Sequence, residues 1–242
     1  MNKTLLEVRN LYKSYSSRPI VNGLSFDVKE KEVVGLLGPN GAGKTTAFYI
    51  TIGLIKADKG EVFFKEKNIT DLPIHKRALI GMGYLAQEPS VFRHLTVEEN
   101  ILCILETLNI SKEEKTKKVK ELLNELNLYH LKDKKAITLS GGERRRVEIT
   151  RALVRDPDLL LLDEPFANID PKAVQDVKNL IKHLKQRGIG ILITDHNARE
   201  IFSIVDRSYI IHEGREILSG SVKELLKNKL AKEHYLGENF CM

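Results

Sequence analysis

Several features that mark specialised chains are scarce or missing in these 242 residues. There are two cysteines, Cys103 and Cys241, too few for a disulfide framework. No apolar run approaches the ~20 residues that span a bilayer; the longest, such as Ile189–Thr194, are strand-sized. Glu7 and Arg9 break the only early apolar stretch, so no secretory leader is expected. Internal repeats and low-complexity linkers are missing too. The composition, 42% hydrophobic and 30% charged, is that of an ordinary globular chain and excludes long disorder. Collagen, coiled-coil rods, disulfide scaffolds and integral membrane proteins are excluded. What remains is a reduced, cytosolic, soluble protein long enough for one large domain or two small ones.

Charge is only mildly one-sided, with 39 basic against 33 acidic residues and a formal net of +6. The densest basic stretch, Lys112–Lys135, mixes its lysines with Glu113, Glu114, Glu121, Glu125 and Asp133. That pattern is the solvated face of a helix. Aromatic stacking platforms do not interleave with it, so no nucleic-acid partner is expected. A weak attraction to an acidic membrane surface stays open.

What is present is a regular alternation. Leu5–Asn10 and Leu24–Val28 read as strands around a turn at Ser16–Pro19. Val33–Leu37 reads as a buried strand, followed by a glycine-rich loop and an apolar helix from Lys44 to about Gly53. Glu61–Phe64 and Met82–Ala86 read as further strands. From about 89 to 155 the period changes to 3.6, with Val119, Leu122, Leu123 and Leu126 on one helix face, and this stretch reads as a helical subdomain. Then strands (Leu159–Leu162, Ile189–Thr194) alternate with helices (Lys172–Lys185, Ala198–Val205), and Arg207–His212 with Glu216–Leu218 form a terminal hairpin. Alternating strands and helices predict an α/β fold with a parallel sheet.

Gly38-Pro39-Asn40-Gly41-Ala42-Gly43-Lys44-Thr45 fits the phosphate-loop pattern, with Thr46 beside it, between a buried strand and a helix. Glycines let backbone N–H groups converge on phosphate oxygens, and the helix N-terminus adds partial positive charge. Lys44 is expected on the β- and γ-phosphates of ATP, and the Thr45 hydroxyl on Mg²⁺. Four leucines run into Asp163 and Glu164 at a strand end, followed by Pro165, which prevents an ordinary helix start. Asp163 is the expected holder of the Mg²⁺ shell and Glu164 the polariser of an attacking water. The reaction class is phosphoryl transfer to water.

Ser140-Gly141-Gly142-Glu143 reads as a capping box before a helix over Arg144–Arg155. Two glycines inside it are poor helix formers and expose amides at the positive end of a dipole. A second phosphate-binding terminus follows. One chain with two such sites implies a head-to-tail homodimer in which each nucleotide uses one of each.

With these motifs in this order, the chain resembles the nucleotide-binding subunit of ABC transporters over essentially its whole length. More narrowly it resembles the ATPases of lipopolysaccharide exporters, through Pro39–Tyr49, Phe92–Asn100, Gly141–Ile149, Leu192–Asn197 and Tyr235–Phe240. The resemblance implies a P-loop NTPase with a RecA-like parallel sheet core, an N-terminal antiparallel β subdomain and a helical subdomain, all in one nucleotide-binding domain over 1–242. It places Tyr15 on adenine, with Tyr12 as rival. Gln87 becomes a catalytic and Mg²⁺-sensing glutamine, and His196 a contact to the γ-phosphate. Asn168 and Asp170 fall in a loop at the dimer interface, Asn168 standing where the family has glycine. Membrane-subunit helices would dock around Gln87, Glu88, Pro89, Phe92 and Arg93.

The implied partners are a second copy, two polytopic membrane subunits of the LptF and LptG type, and a bitopic LptC-type protein. Direct lipid contact is not implied. The implied place is the cytoplasmic face of the inner membrane. Alternatives are the ATPase of a branched-chain amino-acid importer, a soluble ABC ATPase acting on ribosomes or DNA, and a non-hydrolysing ATP-gated adaptor. Gln87 and Ser140 lie too close in sequence for the long insertion of DNA-repair types. The triple arginine Arg144–Arg146 has no derivable purpose.

Overall fold

The computed structural model describes residues 2–237 and Phe240. Cys241 and the Glu238-Asn239 part of the tail resemblance lie outside these residues. Two long strands, β1 (Thr4–Tyr15) and β2 (Arg18–Lys29), open the chain. Both run further than the hydrophobic alternation indicates. The ladder slips between Val8 and Leu11 and again between Lys13 and Ser14. Each slip changes which residues face inward, so the period-2 signal stops while the strand continues. Ser16 and Ser17 make the turn with φ of 46° and 65°, the twist-matched geometry of a two-residue hairpin.

Next come β3 (Val33–Leu37), α1 (Lys44–Ile52), β4 (Lys59–Phe64), β5 (Lys67–Asn68), α2 (Ile74–Leu79) and β6 (Met82–Leu85). Then follow α3 (Val97–Leu105), α4 (Lys112–Glu125), α5 (Gly141–Leu153), β7 (Leu159–Asp163), α6 (Pro171–Gln186) and β8 (Gly190–Thr194). The chain continues through α7 (Ala198–Phe202), β9 (Arg207–His212), β10 (Arg215–Ser221), α8 (Val222–Lys227) and α9 (Lys229–Ala231). The short α2 and α8 carry too few turns to show a helical period and are missed from sequence. Reciprocal capping boxes start α3 (Thr96, Glu99), α4 (Ser111, Glu114) and α5 (Ser140, Glu143). The box places the start of α5 at Gly141, three residues before the sequence expectation.

The strands form a four-stranded antiparallel sheet, β2-β1-β4-β5, and a six-stranded sheet, β10-β9-β3-β8-β7-β6. The latter is parallel from β9 to β6, with β10 antiparallel at one edge. Its two faces feed two cores. Leu160 and Leu162 of β7 pack with α3–α7, whereas Leu159 and Leu161 pack with α1 and the antiparallel sheet. Strands buried on both faces explain the unbroken apolar runs. Each buried leucine contributes roughly 1.5–3 kcal/mol. Among the described residues no helix is long and apolar enough to cross a membrane.

Candidate active site

The C-terminal ends of β3, β6, β7 and β8 lie side by side, and the sequence-predicted phosphate and carboxylate residues follow them directly. The loop from Gly38 to Gly43 turns tightly back on the sheet. A Cβ on Gly38 (φ 153°) would sit 2.1 Å from the Ile211 carbonyl, and one on Gly43 (φ 97°) 2.3 Å from that of Ile20. Only glycine fits either place. Lys44, 8% exposed, crosses the loop and donates to the carbonyls of Gly38 (2.7 Å) and Pro39 (2.9 Å). Burial holds its ammonium below the ordinary lysine range, while Glu164, Asp195 and Asp163 pull it back up. Asn40, Gly41 and Thr45 are exposed, Pro39 and Thr46 are half-buried, and Ala42 is buried.

Asp163 ends β7 and is 1% exposed. Its Oδ1 accepts from the Thr194 hydroxyl at 2.6 Å. Its Oδ2 has no hydrogen-bond partner among the described residues, although the Tyr49 hydroxyl stands near enough to favour its charge. Burial raises its pKa above the usual carboxylate range, against the pull of Thr194. A buried carboxylate oxygen with no geometric hydrogen bond suits a hard cation. Thr45 and Gln87 are the exposed oxygen donors that sequence reading pairs with it.

Glu164 follows with φ 42°, a left-handed backbone rare outside glycine and frequent at functional sites. Its Oε2 accepts from Gln87 Nε2 at 2.9 Å and lies 3.6 Å from His196 Nδ1. Gln87, Glu164 and His196, from three different loops, therefore meet around one carboxylate. They border a cavity of about 560 Å³ shared with Asp195, Asn168 and Lys178.

Arg145 is the middle of the triple arginine, whose purpose the sequence alone does not reveal. It is 5% exposed and reaches from α5 to the loops after both β6 and β7. Its guanidinium donates to the carbonyls of Ala86 (2.8 Å), Asp163 (3.1 Å), Glu164 (3.2 Å) and Pro165 (3.2 Å), and to Glu148 Oε2 (3.0 Å). Glu148 accepts in turn from the Ser90 amide at 2.9 Å. An i,i+3 Arg–Glu spacing on the buried face of α5 was the available signal. Its neighbours differ: Arg144 donates to the Leu139 carbonyl and Arg146 faces Asp176.

Ser140 caps α5, and Glu143 returns to the Ser140 amide and hydroxyl at 2.8 Å each. In this chain the pair of glycines meets α6 and its preceding loop. A Cβ on Gly142 would lie 2.5 Å from Ala173 Cβ, and one on Gly141 3.4 Å from the Asn168 carbonyl. Close helix packing is thus an independent reason for Gly142 that sequence reading did not find. Asn168 takes φ 58°, which asparagine tolerates and glycine adopts freely. Asp170 caps α6, accepting from Lys172 (3.0 Å) and Ala173 (3.1 Å) amides.

Tyr15 is 46% exposed at the hairpin end, with Lys13 Nζ 5.6 Å above its ring. Tyr12 leans over Gly23, where a Cβ would meet its hydroxyl at 3.0 Å. Phe92, an apolar residue in a polar loop, reads from sequence equally as core or docking anchor; it is 49% exposed, so the core reading fails, and the Arg151 guanidinium stacks 4.8 Å from its ring. Buried Asn100 fixes its backbone on both sides, accepting from the Phe92 amide (2.9 Å) and donating to its carbonyl (3.0 Å). Arg93, Glu88 and Pro89 are exposed beside it.

The sequence pattern of the ABC transporter family matches residues 21–167. The chain is 51% identical over 236 residues to the lipopolysaccharide export system ATP-binding protein LptB of Acidithiobacillus ferridurans, covering 98% of each. It is 47% identical over 238 residues to the protein of that name from Haemophilus influenzae, covering 98% and 99%. A solved ATP-binding cassette of an ABC transporter in its ADP conformation has a TM-score of 0.87 at 31% identity, covering 97% of this chain and 99% of that one. A match that runs through the phosphate loop, the helical insertion and the strand-end acids alike makes the chain a member of the ABC transporter family, an ATP-binding cassette ATPase.

Proposed function

We propose that this chain binds MgATP, closes on a second copy, and powers extraction of lipopolysaccharide from an inner membrane for export. The observation that carries the chemistry is the Glu164 carboxylate held by Gln87 at 2.9 Å and flanked by His196 at 3.6 Å. Positioning and charge stabilisation dominate phosphoryl transfer, and this cluster supplies both. Lys44 and the loop amides take the β- and γ-phosphates, displacing the Gly38 and Pro39 carbonyls from the ammonium. Glu164 orients and deprotonates water, Gln87 fixes Glu164, and His196 contacts the terminal phosphate. Tyr15 stacks on adenine.

Thr45, Asp163 and Gln87 would hold Mg²⁺, and the unpartnered Asp163 Oδ2 fits that assignment. Bound there, the ion neutralises phosphate charge. Ser140–Glu143 and the Asn168–Asp170 loop, which meet within the chain through Gly141, serve the nucleotide of the second copy. A solved dimeric post-hydrolysis cassette bound to ADP and Pi, TM-score 0.78 at 26% identity over 90% of this chain, supports that arrangement.

The export reading is supported by whole-length identity near one half to proteins named LptB. Under it the partners are LptF- and LptG-type polytopic subunits with a bitopic LptC-type protein, at the cytoplasmic face of the membrane. Phe92 and Arg93 dock their cytoplasmic helices.

The chain purified with MgATP is expected to release phosphate. Glu164→Gln should lose about 100-fold or more of that rate while keeping ATP and sedimenting as a dimer. A variant as active as the parent, or monomeric with ATP, overturns the mechanism. Detergent extraction of the tagged chain from its own cells is expected to recover two polytopic subunits with bound lipopolysaccharide. Recovery of amino-acid permeases overturns the substrate, and recovery of ribosomes or DNA alone overturns the transporter role.

A further inference from the structure

The segment Thr194-Asp195-His196-Asn197 contains a carboxylate that the proposed cycle leaves unused. Asp195 follows β8 and is 1% exposed. Its Oδ1 accepts from the Asn197 amide at 2.9 Å, closing a turn into α7. Its Oδ2 has no hydrogen-bond partner among the described residues. An asparagine would close the same turn without burying a charge. Keeping an ionised oxygen dry and unpaired is costly, and burial accordingly raises this carboxyl above its ordinary range. The charge is shared over both oxygens, so a cation against either one offsets this cost.

Among the described residues, Lys44, Arg145 and His196 are cationic groups near enough to act on it, and Lys178, which borders the same cavity, is paired with Glu200. Lys44 is committed to the Gly38 and Pro39 carbonyls. Arg145 is committed to Glu148 and to the carbonyls around Glu164. His196 remains. Its Nδ1 lies 3.5 Å from Asp195 Oδ1 and 3.6 Å from Glu164 Oε2, so one edge of the ring faces two carboxylates. Its backbone is held separately, the Tyr235 hydroxyl donating to the His196 carbonyl at 3.3 Å.

We infer that Asp195 is a positioning residue acting through His196: together with Glu164 it brackets Nδ1, keeps the ring proton there, and aims Nε2 at the terminal phosphate. The partner of one ring nitrogen decides what the other presents. In the imidazolium form Nε2 then donates to phosphate, while the Nδ1 proton is shared. Without the Asp195 charge, Glu164 alone would face Nδ1, and the water-activating carboxylate would be tied to the histidine. The inference rests on the ATPase reading above and adds a residue to it.

Asp195→Asn separates charge from turn, because the amide oxygen still accepts from Asn197. In the full chain it is expected to lower kcat about tenfold, with the KM for ATP within about twofold and the melting temperature not lowered. Ring ¹⁵N shifts of His196, assigned against His196→Gln and measured without nucleotide, should show Nδ1 protonated in the parent and a mixture of tautomers in the variant. Unchanged kcat and unchanged ring shifts overturn the inference, leaving Asp195 as a turn residue. A fall in ATP binding and melting temperature with unchanged ring shifts also overturns it. If the parent hydrolyses no ATP, the ATPase reading fails, while the ring shifts still decide the role of Asp195.

Discussion

Arg145 donates to the main-chain oxygen of Glu164 across 3.2 Å, so a side chain of α5 holds the backbone of the proposed water-activating residue. The same guanidinium holds the Ala86 carbonyl, next to Gln87. The two groups that meet at 2.9 Å are thus anchored through one residue from the helix that Ser140 caps. Arg145→Met leaves the buried Glu148 without its ion-pair partner, a loss of about 3–5 kcal/mol. Arg145→Lys keeps the charge but not the planar fork. It should fold, as seen by urea melts, and lose up to about 100-fold in kcat, because small misplacements at a reacting centre are expensive. Retention of full activity in Arg145→Lys would remove the anchor from the mechanism.

Gly142 tests the packing explanation of its motif. A methyl group there meets Ala173 Cβ at 2.5 Å. Gly142→Ala should destabilise the isolated chain by about 1–3 kcal/mol through overpacking, even though alanine is the better helix former. Pairing it with Ala173→Gly should restore much of the loss, since the clash is between these two positions. A stabilised single variant would show that α5 and α6 are not held this closely.

Phe92 is exposed and its backbone is fixed by Asn100, so its ring has little to do with the core. Phe92→Ala should cost the isolated chain no more than about 1 kcal/mol, the value of the Arg151 contact. Assembly with membrane subunits should weaken by about 2 kcal/mol or more if the ring is a docking anchor. Pull-down against the detergent-solubilised subunits reads the difference. Equal capture of variant and parent would remove Phe92 from the docking surface.

Glu143 supplies a pH test. The Ser140 amide and hydroxyl hold its carboxyl below the ordinary value of 4.5. A depressed carboxylate adds stability above its unfolded pKa and loses it as pH falls through its folded pKa. Glu143→Gln keeps a capping acceptor but has no charge. The urea midpoint of the parent should exceed that of the variant at pH 7. The gap should close as pH drops from about 4.5 through the lower folded value. A gap unchanged down to that range would show that the charge contributes nothing to the cap.

Much of the site was readable because its physics is local. A strand, a glycine loop and a helix N-terminus are contiguous, so Gly38–Thr45 declares itself, as do Leu159–Glu164 and the capping box Ser140–Glu143. Other assignments needed distance information. The period-2 pattern ends at Asn10, while β1 continues to Tyr15 through ladder slips that only the partner strands reveal. Phe92 reads equally as core or surface until burial decides it.

By itself the sequence determined the alternation of elements, the phosphate-binding loop and the acids at the strand end, because these follow from side-chain periodicity and from glycine and proline stereochemistry. Only the tertiary structure decided which of three consecutive arginines is buried, why Gly142 must be glycine, and that Asp195 and Glu164 face one edge of His196. Those facts depend on residues far apart in the chain approaching within a few ångströms, and no periodicity encodes a distance.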